Sequence, residues 1–243
     1  MQDGYVWAIT SIGTTAWTAN VGTSVGCSNL VPDFKGGLVV STGQSIYRLD
    51  GMTGTVSPWT YTSVSGNNLS TPVVHTSGTI FTIDGSTVVG INPTTGQTFP
   101  VRMENSTSSG TGVCPNRCSS PLPQSGQGFS YTSPPSIGSL IIAGDGYAYV
   151  PYIFEVSNQY STDACSPGCG CSTSYSTKQA LRLLRIGASG DSYEISLGDF
   201  SSGGWNINCW SGYSGSSYSA TPTLPTLITN ADQGVLASYS AIL

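Results

Sequence analysis

The chain is predicted to be all-β, a β-propeller of about four blades, each a four-stranded antiparallel meander, on two observations. A phrase recurs in which apolar alternation runs into a small polar turn, a glycine and an aromatic: VWAITSIGTTAW, SIYRLDGMTGTVSPW, TVVGINPTTGQTF and LRLLRIGASGDSY. Its glycines are Gly13, Gly54, Gly96 and Gly190, so the first two intervals are 41 and 42 residues, the length of one blade. The third interval, 94 residues, is a blade enlarged by insertions. Between these glycines the chain also breaks into runs of four to six residues, rich in β-branched and aromatic side chains and bounded by Gly, Asn, Asp or Ser.

In chain order, YVWAIT and AWTANV supply the last two strands of a blade. GLVVST (37–42), SIYRLD (45–50) and a strand around 59–63 follow Asn29-Leu30-Val31-Pro32 as a first complete blade. TPVVHT (71–76), TIFTID (79–84), TVVGIN (87–92) and TFPVRM (98–103) form a second. After an insertion at 104–130, a third blade opens at 133–154, where Asp145-Gly146 marks a tight hairpin, and resumes at 180–198. A Cys-rich loop insertion, 155–178, divides its second strand from its third, and 199–219 is a further loop. TPTLPTLIT and GVLASYSAI close the chain as the first two strands of a blade. A strand pair alone exposes edges and an unburied face. The two terminal half blades are therefore expected to complete one blade, in cis by closing a ring or in trans by joining a neighbour. Residues 1–243 form a single domain on this reading, expected to be a piece of a longer protein.

Only 8% of residues are charged, and seven basic residues face twelve acidic ones, for a net charge of −5. A chain without a basic stripe offers nucleic acid no counterion-releasing surface. No apolar run reaches the roughly 20 residues of a membrane span. Abundant Ser and Thr, few Lys and two N-glycosylation sequons, at Asn68 and Asn105, fit a secreted, extracellular glycoprotein.

Seven cysteines, Cys27, Cys114, Cys118, Cys165, Cys169, Cys171 and Cys209, are disulfide candidates in that setting. The Cys114/Cys118 and Cys165/Cys169 spacings also suit zinc pairs. Disulfides within the two clusters are the preferred expectation, and an odd count leaves one thiol unpaired or bonded to another chain. The 199–219 loop holds Trp205, Trp210, Tyr213 and Tyr218 among glycines and serines, an arrangement for stacking on sugar rings or for packing around a Cys209 disulfide.

Candidate chemistry is sparse. His75 is the one histidine, and alternation in TPVVHT places it packed on a strand. Asp50, Asp84 and Asp145 occupy turn positions, where a carboxylate caps nearby backbone groups. Neither a phosphate-binding glycine loop nor a zinc-protease motif is present in the sequence.

YRLDGMTGTVSPW, VVGINPTTGQTF and VWAITSIGTTAWTANVG resemble the quinoprotein-like (PQQ-type) β-propeller repeat, in which an Ala-Leu-Asp run, a Thr-Gly turn and a Trp end each blade. The resemblance implies that Trp17 and Trp59 are structural, each packed between neighbouring blades. It also raises a quinone-dependent oxidoreductase, or an inactive ligand-binding relative, as an alternative function. The family's enzymes carry adjacent cysteines beside the quinone, and the nearest motif here is Cys169-Gly170-Cys171, inside an insertion. The expectation is accordingly a non-catalytic module with no cofactor, a structural, adhesive or binding unit of an extracellular assembly. Its partners are expected to be further copies, other extracellular proteins or glycans.

Overall fold

A computed structural model describes residues 4–22, 30–103, 127–132, 136–164, 170–208, 212–216, 221–229, 235–238 and 241–242. Every regular element among them is a β-strand, and every ladder is antiparallel. β1 (Tyr5–Ile9) and β2 (Thr15–Asn20) form a hairpin. β3 (Leu30–Pro32), β4 (Gly37–Ser41), β5 (Ser45–Asp50) and β6 (Tyr61–Thr62) make a four-stranded meander, as do β7 (Val73–Val74), β8 (Ile80–Asp84), β9 (Thr87–Ile91) and β10 (Thr98–Pro100). These two sheets coincide with the two complete four-strand units expected from the sequence.

The next sheet has seven strands. β11 (Gln127–Thr132), β12 (Ser136–Ile137) and β13 (Ile141–Ile142) pair in turn along one edge of β14 (Ala148–Ala164). β15 (Gly170–Ile186), β16 (Ser192–Asn208) and β17 (Gly212–Ser216) follow on its other side. Here the structure corrects the sequence reading: much of 155–178 and 199–219 is strand rather than loop, with β14, β15 and β16 each 17 residues long. The reason is local. Residues 152–164 and 171–186 contain neither Gly nor Pro, so no turn former stops the β14–β15 hairpin from extending.

β18 (Thr221–Pro222) pairs with β21 (Ala241–Ile242), and β19 (Thr226–Thr229) with β20 (Val235–Ser238). Among the described residues no ladder joins these pairs to β1 and β2. β1 and β2 instead satisfy each other's backbone as a hairpin and pack on the sheet that follows.

The core lies between successive sheets. Val6, Ala19 and Val21 of the first hairpin meet Val40 and Leu49, whereas Val39 and Ile46 on the opposite face meet Val74, Ile80, Val89 and Ile91. Phe81 and Val88 then turn away from that cluster toward Ala148, Val150, Tyr152, Leu184 and Ile186. Tyr149 and Leu183 face the other way, toward Leu227 and Val235 of β19 and β20. Successive side chains on a strand point to opposite faces. A sheet packed on both faces therefore reads as near-continuous apolar runs such as GLVV and LRLLRI.

Candidate functional site

Trp17 and Trp59 each cross a junction between consecutive sheets. The Trp17 indole covers Gly54 in the turn after β5, where φ is +71° and an added Cβ would stand 2.6 Å from the ring. Its Nε1 donates to the Gly51 carbonyl at 2.9 Å. Trp59 repeats this on Gly96 after β9, again with φ +71° and 2.6 Å to an added Cβ, and donates to the Pro93 carbonyl at 3.0 Å. Both bonds span 34 residues, so the two junctions are copies of one device. At the third junction Phe99 of β10 covers Gly190 at 2.5 Å. Glycine serves these turns twice over, by adopting positive φ and by leaving the aromatic a flat seat.

Several titratable groups among the described residues hold turns. Asp50 accepts from the Met52 amide (3.0 Å), the Thr53 amide (2.8 Å) and the Thr53 hydroxyl (2.9 Å), which hold its carboxyl below the ordinary range. Asn92 makes the same turn with the Thr94 and Thr95 amides at 2.9 and 3.1 Å. Burial alone pushes the Asp33 carboxyl up, but the Gly37 and Lys35 amides and Arg48 Nε, at 2.5, 2.8 and 2.6 Å, outweigh it and hold it low. Asp145 caps the Tyr147 amide at 3.1 Å and accepts from the Tyr149 hydroxyl at 2.7 Å. Burial and that carboxylate push the Tyr149 phenol up to about 12.

Asp84 departs from local capping. It is 5% exposed and reaches back to the preceding sheet. It accepts from the Tyr61 hydroxyl (2.6 Å), Ser63 hydroxyl (2.7 Å), Val64 amide (2.7 Å), Ser65 amide (3.3 Å) and Ser65 hydroxyl. Burial opposes its ionisation, yet these donors win and hold the carboxyl far below the usual range, while burial and Asp84 raise the Tyr61 phenol. Asp84 also lines a cavity of about 370 Å³ with Tyr61, Thr87 and Phe99. A carboxylate so saturated is not tuned for proton transfer near neutral pH. The serines at 63 and 65, two apart after a strand, were the available sequence signal for this clamp.

His75 lies in the turn after β7 rather than on the strand as expected, because its own side chain closes that turn. Nδ1 meets the Ser77 amide at 3.0 Å and the Ser77 hydroxyl at 2.9 Å. Burial lowers its pKa against the opposing pulls of the Gly146 backbone and Asp191, favouring the neutral ring.

A second cavity, of about 510 Å³, is lined by Asn67–Thr71, Ile83, Gly85 and Ile137–Leu140. Asn68 is exposed at this site, whereas Ser70 of the same sequon is pinned, its Oγ accepting from the Ile83 amide at 2.8 Å. Produced through a glycosylating secretory route, the protein is expected to carry a glycan on Asn68. Mass spectrometry of that peptide before and after enzymatic deglycosylation checks this, and a wholly unmodified peptide refutes it.

Cys27, Cys114, Cys118, Cys165, Cys169, Cys209, Asn105, Trp210 and Tyr218 lie outside the described residues. Cys171, Trp205 and Tyr213 fall on β15, β16 and β17, but their side chains likewise lie outside what is described. The expected disulfides and aromatic loop platform therefore have no described geometry. Among the described residues no cluster of three or more His, Cys, Asp or Glu side chains is placed to hold a metal ion, and no helix is long and apolar enough to cross a membrane.

No known family model matches the chain, and no curated protein matches it in sequence. Two solved structures are similar at low level, both extracellular domains of sensor-system proteins from B. thetaiotaomicron. The first, described as from a one-component system, has 13% identity and a TM-score of 0.38 over 87% of this chain. The second, described as from a hybrid two-component system, has 12% identity and a TM-score of 0.33 over 94%. This chain spans 27% and 32% of those structures, a distant likeness that carries no functional argument.

Proposed function

We propose that this chain is a non-catalytic, secreted β-propeller module that serves as a structural or binding unit of an extracellular assembly. The observation that carries the reading is the repeated junction, in which Trp17, Trp59 and Phe99 each seat on a glycine turn of the following sheet. Sheets packed face to face in chain order, each fixed by one aromatic, are how a propeller's blades succeed one another. The polar groups support the same reading: Asp33, Asp50, Asp84, Asp145 and His75 all hold turns or junctions, so ionisable side chains that a catalyst would present to substrate are here used to hold the scaffold. The sparse charge, the hydroxyl-rich surface and the exposed Asn68 suit an extracellular setting.

The competing oxidoreductase reading is tested by incubating purified protein with pyrroloquinoline quinone and Ca²⁺, desalting, and recording the near-ultraviolet spectrum and dye reduction with alcohols and aldoses. The expected result is a spectrum of the protein's own aromatic bands and no dye reduction. Stoichiometric quinone retained through desalting, with substrate-dependent dye reduction, overturns the proposal.

A further inference from the structure

The four repeat glycines do not share one environment. Gly54, Gly96 and Gly190 each lie under an aromatic at 2.5 to 2.6 Å from an added Cβ, whereas nothing stands within 4 Å of that position at Gly13. The Gly13 turn is nevertheless built like the Gly190 turn. Thr10 N donates to Thr14 O at 2.8 Å and Gly13 N to Thr10 O at 2.9 Å, matched by Gly187 N to Asp191 O at 2.8 Å and Gly190 N to Gly187 O at 3.0 Å. Gly13 and Gly190 have φ of +82° and +85°. The seat is formed, and among the described residues no aromatic occupies it.

The strand leading into that turn tells the same story. The residue just before the turn is Leu49, Ile91 and Ile186 in the three later sheets, each fully buried against the preceding sheet. Its counterpart Ile9 is 58% exposed, and Trp7, two residues earlier on the same face, is 48% exposed. The hairpin of β1 and β2 thus presents an apolar face of the kind that every other sheet covers with its predecessor.

The missing aromatic is at the other end of the row. Phe99 lies three residues beyond Gly96 and covers the next turn, and Tyr193 lies three residues beyond Gly190. Tyr193 is 67% exposed, while Ile195 and Leu197 on the same face of β16 are packed beside β19 and β20. Among the described residues the chain therefore carries an aromatic that covers no turn and a seat that no aromatic covers, the two complementary halves of its own repeated interface.

We propose that copies of this chain join head to tail, with Tyr193 of one molecule seated on the Gly13 turn of the next and Trp7 and Ile9 buried beneath it. A second copy is the fitting occupant because the contact continues an interface the chain already makes three times over. Such a contact is heterologous and propagates into rings or filaments. The inference deepens the reading of the chain as an assembly unit and names its partner.

Sedimentation velocity over a concentration series tests it on the wild type, on Tyr193→Ser, on Gly13→Asn and on an equimolar mixture of the two variants. Asn tolerates positive φ, so Gly13→Asn keeps the turn while filling the seat. The wild type is expected to form a concentration-dependent series of oligomers, and each variant alone to self-associate about tenfold or more weakly. The mixture is expected to stop at dimers, because only one intact interface remains between unlike partners. A wild type that stays monomeric at every concentration overturns the proposal, as do variants that assemble like the wild type or a mixture without dimers. A monomeric wild type that Tyr193→Ser destabilises thermally assigns the contact to a single chain instead. Failure on any of these grounds leaves the quinone test untouched, and retained quinone with intact assembly fails the module reading alone.

Discussion

Asp84→Ala is expected to destabilise the protein by about 3 kcal/mol or more. The substitution removes an acceptor for five bonds and strands donors from Tyr61, Ser63, Val64 and Ser65, of which the Tyr61 hydroxyl is buried with the carboxylate itself. Hydrogen bonds to a charged group contribute more than neutral ones, and a buried donor left without a partner bears its full desolvation cost. The pH dependence has a definite sign. Asp84 is held below its unfolded value of 3.8, so below that pH the unfolded chain binds more protons and stability falls as the solution is acidified. Asp33 adds to the same trend. Urea unfolding at neutral pH measures the first effect, and a loss under about 1 kcal/mol refutes the clamp. Repeating it for Asp84→Asn down to acid pH measures the second: the gap between wild type and variant should stay constant above about pH 4 and narrow below it.

How far the fold was legible follows from which interactions are local. The strand runs, the turn glycines and the aromatic after each turn are read within a dozen residues, and SIYRLD and TVVGIN indeed become β5 and β9. Asp50 behaves as a turn aspartate for the same reason, since its partners are two and three residues away. Asp84 looks identical in sequence, yet its partners are 19 to 23 residues upstream on another sheet, and spacing alone cannot distinguish the two. The long β14 and β15 arms were missed by the opposite error. Cysteines and serines suggested a loop, while the absence of Gly and Pro from 171–186 carried the extended backbone onward. The exposed face of β1 was equally hidden, because Trp7 and Ile9 read as core residues in any strand and only packing shows which of them has a neighbour.

Gly96→Ala and Trp59→Ala are each expected to cost a few kcal/mol, and the double variant less than their sum. An alanine at φ +71° carries about 1 to 2 kcal/mol of backbone strain, and its methyl would also stand 2.6 Å from Trp59, adding about 1 to 3 kcal/mol of overpacking. Gly66 supplies the control, since its φ of +73° imposes the same strain with nothing within 4 Å. Gly66→Ala should therefore show the backbone cost alone, and its difference from Gly96→Ala isolates the collision with the Trp59 side chain. Trp59→Ala removes the indole, its bond to the Pro93 carbonyl and the packing of a half-buried aromatic, about 3 kcal/mol by comparison with large-to-small core changes. Trp59→Ala removes the indole Cγ and Cδ2, 2.6 and 2.9 Å from the methyl at position 96, but keeps the Trp59 Cβ, also at 2.6 Å, so the collision is relieved in part and the coupling in the cycle should be about 1 kcal/mol. Chemical unfolding of the four proteins gives that coupling directly. A value within about 0.5 kcal/mol of zero means that the ring does not rest on Gly96, and the seat on which the repeated junction is built would then be lost as well.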